Sequence, residues 1–84
     1  MSKSIYRDDY ALFLRHLRNA REKAGLTQEQ VARKLGLTQT FISKCERGER
    51  RLDIIELRDF CTTLGLSLGE FVAEFETALK KGRR

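Results

Sequence analysis

Thr27-Gln28-Glu29-Gln30-Val31-Ala32-Arg33-Lys34-Leu35-Gly36-Leu37-Thr38-Gln39-Thr40-Phe41-Ile42-Ser43-Lys44-Cys45-Glu46-Arg47-Gly48 is the stretch that decides how this chain folds. It reads as two short helices joined by a tight turn. Thr27 is a good N-cap and Gln28 opens the first of them. Val31, Ala32 and Leu35 follow at helical spacing. Gly36 falls where a helix end needs a left-handed residue. Leu37 is expected to plug the turn with an apolar side chain, and Thr38 to cap the second helix. Ile42 and Cys45 give that helix a buried side. Gln39, Thr40, Ser43 and Lys44 give it a polar one, able to bond base edges or phosphates. A small residue in the first helix and a glycine in the turn let the two cross closely.

That is the geometry of a helix-turn-helix, whose second helix enters the DNA major groove. The sequence resembles the Xre-type family, the family of the lambda-like phage repressors and Cro. The family's pattern of small residue, turn glycine, branched apolar residue and Glu-x-Gly falls on Ala32, Gly36, Ile42 and Glu46-Arg47-Gly48. The match runs from about Leu14 to Phe75. There are two departures: Cys45 stands where an aromatic or leucine is frequent, and the proline often found after Glu-x-Gly is absent. Neither removes a DNA-reading position.

The 84 residues fit one small domain, with the helix-turn-helix at about residues 27–47. No strand-like alternation, repeat or low-complexity segment interrupts it. Residues 1 to about 7 read as a flexible start. Asp8 or Asp9 is then expected to cap a first helix reaching about Ala24, with Tyr10, Phe13 or Leu14, Leu17, Ala20 and Ala24 inward. The helices at Gln28–Leu35 and Gln39–Arg47 come next. Asp53 caps a fourth helix with Ile54, Leu57, Phe60, Cys61 and Leu64 inward. Ser67 caps a fifth, with Glu70 completing a capping box. Leu68, Phe71, Val72, Phe75 and Leu79 share one face of it. Lys80 to Arg84 reads as a frayed basic tail. The expected fold is all-α, a five-helix lambda-repressor-like helix-turn-helix domain.

Net charge is +5, unevenly spread. Residues 1–52 carry 12 basic and 6 acidic residues, and residues 53–79 carry 1 basic and 6 acidic. The half holding the motif is the positive one, as a surface meeting phosphate should be. No apolar run is long enough to span a membrane, and Met1-Ser2-Lys3-Ser4 is not followed by an export signal, so a cytoplasmic location is expected. Cys45 and Cys61 read as buried thiols, with a redox role the lesser alternative. Two Cys and one His without a Cys-x-x-Cys pair do not build a zinc site. No metal or cofactor is expected. His16 reads as a surface residue. No nucleophile–base pair is in sight, so no enzymatic activity is expected.

The resemblance implies that Gln39, Thr40 and Lys44 read bases. Their chemistry agrees: Gln pairs with adenine N6 and N7, Lys with guanine O6 and N7, and Thr meets a thymine methyl. The plainer alternative is a solvated polar face. Phe41 either packs on DNA or covers the domain's own core. Phosphate contacts are expected from Gln28 at a helix N-terminus, and from Arg47, Arg50 and Arg51 past the end of the reading helix. Ser43 faces the protein or a phosphate, and Arg18, Arg33 and Lys34 are weaker candidates. The resemblance also pairs Arg21 with Glu46 as a structural ion pair. Phe71, Val72, Phe75 and Leu79 are expected to form a dimer interface. The implied partners are double-stranded DNA and a second copy of the chain, in a transcriptional regulator that most often acts as a repressor on a palindromic operator. The alternative is an antitoxin-type interaction module that neutralises a protein partner and also binds DNA.

Overall fold

The structure is a computed structural model that describes the backbone of residues 3–82 and the side chains of residues 8–81. Five helices follow one another: α1 (Lys3–Lys23), α2 (Gln28–Leu35), α3 (Gln39–Glu46), α4 (Ile54–Thr63) and α5 (Leu68–Gly82). All the regular structure among the described residues is helical.

Local chemistry sets most of the boundaries. The Thr27 hydroxyl accepts the Gln30 N–H while the Gln30 side chain accepts the Thr27 N–H, a reciprocal cap on α2. Thr38 caps α3 through the Phe41 N–H. Asp53 with Glu56, and Ser67 with Glu70, repeat the reciprocal arrangement on α4 and α5. The bonds that Glu70 receives from Ser67, backbone first, hold its carboxyl below the usual carboxylate range. Gly36 closes α2 in the left-handed region.

The start of α1 differs from expectation. The helix begins at Lys3, so Asp8 and Asp9 lie inside it and neither is its N-cap. No glycine or proline between Lys3 and Asp9 stops a helix, and Tyr10, one residue on, packs on Phe13 of the same helix. At the other end α5 continues through Gly82, further than the frayed tail expected from Lys80. Residues 1–2 and 83–84, the remainder of the two expected tails, lie outside the described residues.

Leu17 of α1, Val31 and Ala32 of α2, Ile42 of α3, Leu57, Phe60, Cys61 and Leu64 of α4, and Phe71 of α5 form one continuous core. The α2–α3 pair sits on α1 and α4, and α5 closes the bundle against α1 and α4. Three apolar residues are placed otherwise than their spacing suggests. Ile54 is 59 % exposed beside exposed Ile55, and the buried side of α4 begins only at Leu57. Leu37 is also exposed; the turn is held by its backbone N–H on Ala32 O (2.8 Å), not by its side chain. Ala24 lies past the end of α1 and is exposed. His16 departs too. It is half-buried where α1 meets α5, its ring 4.9 Å from that of Phe71.

Gly36 and Gly48 both hold left-handed backbone, with φ of +70° and +81°. A Cβ at Gly36 would meet nothing within 4 Å, whereas one at Gly48 would lie 3.0 Å from Leu14 Cδ1. Gly36→Ala should therefore cost only the backbone penalty, about 1–2 kcal/mol. Gly48→Ala should cost more, since Leu14 must also yield. Denaturant melts of the two variants check this, and equal losses would mean that Leu14 moves freely.

Candidate nucleic-acid interface

Arg21 projects from the last turns of α1 into the space between α2 and the end of α3. Its Nε donates to Glu46 Oε2 at 2.6 Å and its Nη2 to Glu46 Oε1 at 3.1 Å. Its Nη1 donates to the Leu26 carbonyl at 2.8 Å. The two side chains are only 11 % and 4 % exposed. A buried charge is tolerated when it is paired and its remaining hydrogen-bonding capacity is filled. Here the guanidinium uses all three nitrogens, and Glu46 takes a further bond from Gln28 Nε2 at 3.0 Å.

That further bond reaches the protein surface. Gln28 Oε1 accepts from Gln39 Nε2 at 2.7 Å. A continuous line of side chains therefore runs Arg21–Glu46–Gln28–Gln39, from a buried charge pair to the first residue of α3. Gln39 is held rather than free, and its amide oxygen remains available. Thr40 and Lys44 are exposed on the same helix. Gln39, Thr40 and Lys44 thus stand on the solvent side of α3, with Ile42 and Cys45 enclosed on the other. Phe41 is half-buried against the core, which favours its structural role.

The arginines beyond α3 all have partners in the chain. Arg47 donates to Glu49 at 2.9 and 3.2 Å and also to the Ser43 hydroxyl. The hydrogen bond from Arg47 holds the Glu49 carboxyl below its ordinary range. Arg50 donates to Glu56 Oε1 at 2.9 Å and lies over the Phe41 ring. Arg51 lies over the Tyr10 ring, 4.4 Å from its centroid. Glu56 and Tyr10 were not singled out in the sequence as partners of these residues. The spacing Asp53-x-x-Glu56 does signal a capping box, but nothing local signals that its carboxylate would also hold Arg50.

A family model described as "Helix-turn-helix" matches residues 17–71, which take in the Arg21–Glu46 pair, α2, α3 and α4. A solved structure of an XRE-family like protein from Pseudomonas syringae pv. tomato superposes with a TM-score of 0.83. It is 41 % identical and covers 90 % of this chain and 93 % of its own. The chain belongs to the Xre-type helix-turn-helix family. It is thereby a DNA-binding transcriptional regulator. An uncharacterized HTH-type transcriptional regulator, y4dJ, from Sinorhizobium fredii is 40 % identical over 52 residues, 62 % of this chain and 68 % of that protein. The control protein C.MunI from a Mycoplasma species is 33 % identical over 56 residues, 67 % and 76 % of the two chains. The gene regulator ClgR from Corynebacterium glutamicum shares the fold, with a TM-score of 0.74, 22 % identity, and 84 % and 76 % coverage.

In this Xre-type domain the two departures from the family pattern are absorbed locally. Cys45 is fully enclosed. Burial pushes its thiol up, as it does that of Cys61, so both stay protonated and free. Leu52, in the loop that often carries proline, packs half-buried against the core. One assigned residue changes place. Phe71 is 1 % exposed within its own bundle, edge-on to Phe13, because α5 needs that side chain to close on α1. It is a core residue and not a free interface residue. Val72 is exposed, and Phe75 and Leu79 are half-buried.

Removing one member of the buried pair strands the other. Arg21→Ala and Glu46→Ala should each cost about 3–5 kcal/mol. The double variant should lose much less than the sum. Thermal melts of the three variants measure the coupling, and strict additivity would show that the pair does not act as one unit.

Proposed function

We propose that the chain is a homodimeric repressor that reads a palindromic operator with α3, acts in the cytoplasm, needs no cofactor and catalyses no reaction. The observation that carries the reading is the line of side chains from Arg21 to Gln39. A buried pair at one end and a fixed amide at the other give the first residue of α3 a set direction before DNA arrives. A preoriented glutamine matches the paired donor and acceptor of adenine. The positive first half of the chain supports the same surface.

The dimer rests on α5. With Phe71 committed to the core, the exposed Val72, the half-buried Leu79 and Phe75, which is half-buried with its ring edge-on to Phe13, remain as an apolar strip. A second copy there would be related by a two-fold axis. Two reading helices would then lie about one DNA turn apart, roughly 34 Å. Sedimentation at micromolar concentration should show a dimer that Phe75→Asp weakens. A monomer indifferent to that change would remove the dimer from the proposal.

Selection from a random DNA library, followed by titrations at several salt concentrations, tests the reading itself. Gln39→Ala or Lys44→Ala should cost about 1–3 kcal/mol on the selected duplex and relax one base position per half-site. Arg47→Ala or Arg51→Ala should weaken binding to all sequences alike and lower the log–log salt slope by about 0.9 per lost phosphate contact. An unchanged sequence preference in Gln39→Ala would mean that α3 does not read bases, and the interaction-module reading would take its place.

A further inference from the structure

We propose that Arg50 is a positioning residue for the reading helix and not a phosphate ligand: its side chain ties Phe41, in the first turn of α3, to the N-terminus of α4. The proposal rests on the reading that α3 meets base edges. Four contacts converge on this residue. Its backbone N–H donates to the Lys44 carbonyl at 3.3 Å, next to the Glu49 N–H at 2.9 Å on the same oxygen. Its guanidinium carbon lies 4.5 Å from the centroid of the Phe41 ring. Its Nη1 donates to Glu56 Oε1 at 2.9 Å and to the Arg51 carbonyl at 2.7 Å.

Glu56 is already committed at that oxygen. The same Oε1 accepts the Asp53 N–H at 2.9 Å in the cap of α4. One carboxylate therefore caps a helix and holds Arg50 at once, and the two bonds hold its carboxyl below the usual range, the bond from Arg50 being the larger cause. Moving Arg50 to a phosphate would break this ion pair, uncover Phe41 and loosen the loop between α3 and α4 together. Phe41 lies in α3 between Thr40 and Lys44, with its ring against the core. Fixing that ring fixes the rotation of α3 about its own axis, and hence where Gln39 and Lys44 point. The neighbouring arginines differ. Arg47 and Glu49 are 53 % and 54 % exposed, against 43 % and 29 % for Arg50 and Glu56, and no ring lies beneath Arg47 and no helix cap shares its carboxylate among the described residues, so that pair opens at less cost. Arg51 has the Tyr10 ring beneath it and no carboxylate bonded to it among the described residues.

A lysine supplies the charge of Arg50 but not its planar fork or its stacking on a ring. The test compares Arg50→Ala, Arg50→Lys and Arg51→Ala on the duplex recovered by selection and on its scrambled version, at several salt concentrations. In both Arg50 variants the salt slope should stay at the wild-type value, while the ratio of the two affinities falls about tenfold, as for one displaced base-reading side chain. Arg51→Ala should lower the slope by about 0.9 and leave the ratio unchanged. A lower slope with an unchanged ratio in Arg50→Ala, restored by Arg50→Lys, would overturn the proposal. A second measurement is made without DNA: the Phe41 ring resonances should shift in both Arg50 variants. Unshifted Phe41 resonances would overturn the proposal whatever the titrations give. Absence of salt-dependent DNA binding by the wild-type chain would instead sink the DNA reading, while the Phe41 shifts still report whether Arg50 ties the two helices.

Discussion

The rest of the structure depends on taking one arginine and one glutamate out of water together. Neither Arg21 nor Glu46 can be enclosed alone, because an unpaired buried charge costs several kcal/mol. Enclosing both forces α1, the link at Leu26 and the end of α3 to one point, since each supplies a hydrogen bond that the pair needs. Gln28 adds α2 to the same point. Such a pair contributes little net stability compared with an apolar replacement of equal volume. What it supplies is direction: apolar contacts tolerate small rotations of one helix on another, and a two-bond fork between guanidinium and carboxylate does not.

This matters in so small a protein. The core of nine buried residues is enough to hold five helices together but leaves few contacts to select one crossing angle among several. The polar links share that task. The charge pair sets α3 against α1 and α2, while the reciprocal caps fix where α2, α4 and α5 begin. Side chains that would ordinarily be classed as surface charge, Glu56 above all, are thereby part of the architecture.

How far the sequence could be read follows from how local each determinant is. The caps at Thr27, Thr38, Asp53 and Ser67 were legible because a cap is chosen within four residues. The core of α2, α3 and α4 was legible from its 3.6-residue spacing, and the Arg21–Glu46 pair from the resemblance. The start of α1 was not, since Asp8 and Asp9 look like caps and nothing local shows that the helix has already begun. Ile54 was misplaced because periodicity reports a face and not how far along the helix that face stays covered. Phe71 and His16 were misplaced for a related reason. Which side of α5 meets α1 is a tertiary fact, and the apolar face of α5 is broader than the part its own bundle encloses. The fold-back of Arg50 onto Glu56 and Phe41 joins residues from two helices and a loop, and no spacing rule reaches across such a loop.

The bond between Gln28 and Gln39 also bears on how this protein could acquire a new target. Replacing Gln39 with a residue lacking an amide donor would leave the Gln28 carbonyl without its partner, free to turn its own amide away from Glu46. If α3 reads bases as proposed, a change of base preference at this position is also a change beside the charge pair. On that reading, a new side chain at position 39 calls for a compensating one at position 28, so the two positions act as one physical unit. Lys44, which donates no side-chain bond among the described residues, would on the same reading be the position where the target could vary one substitution at a time.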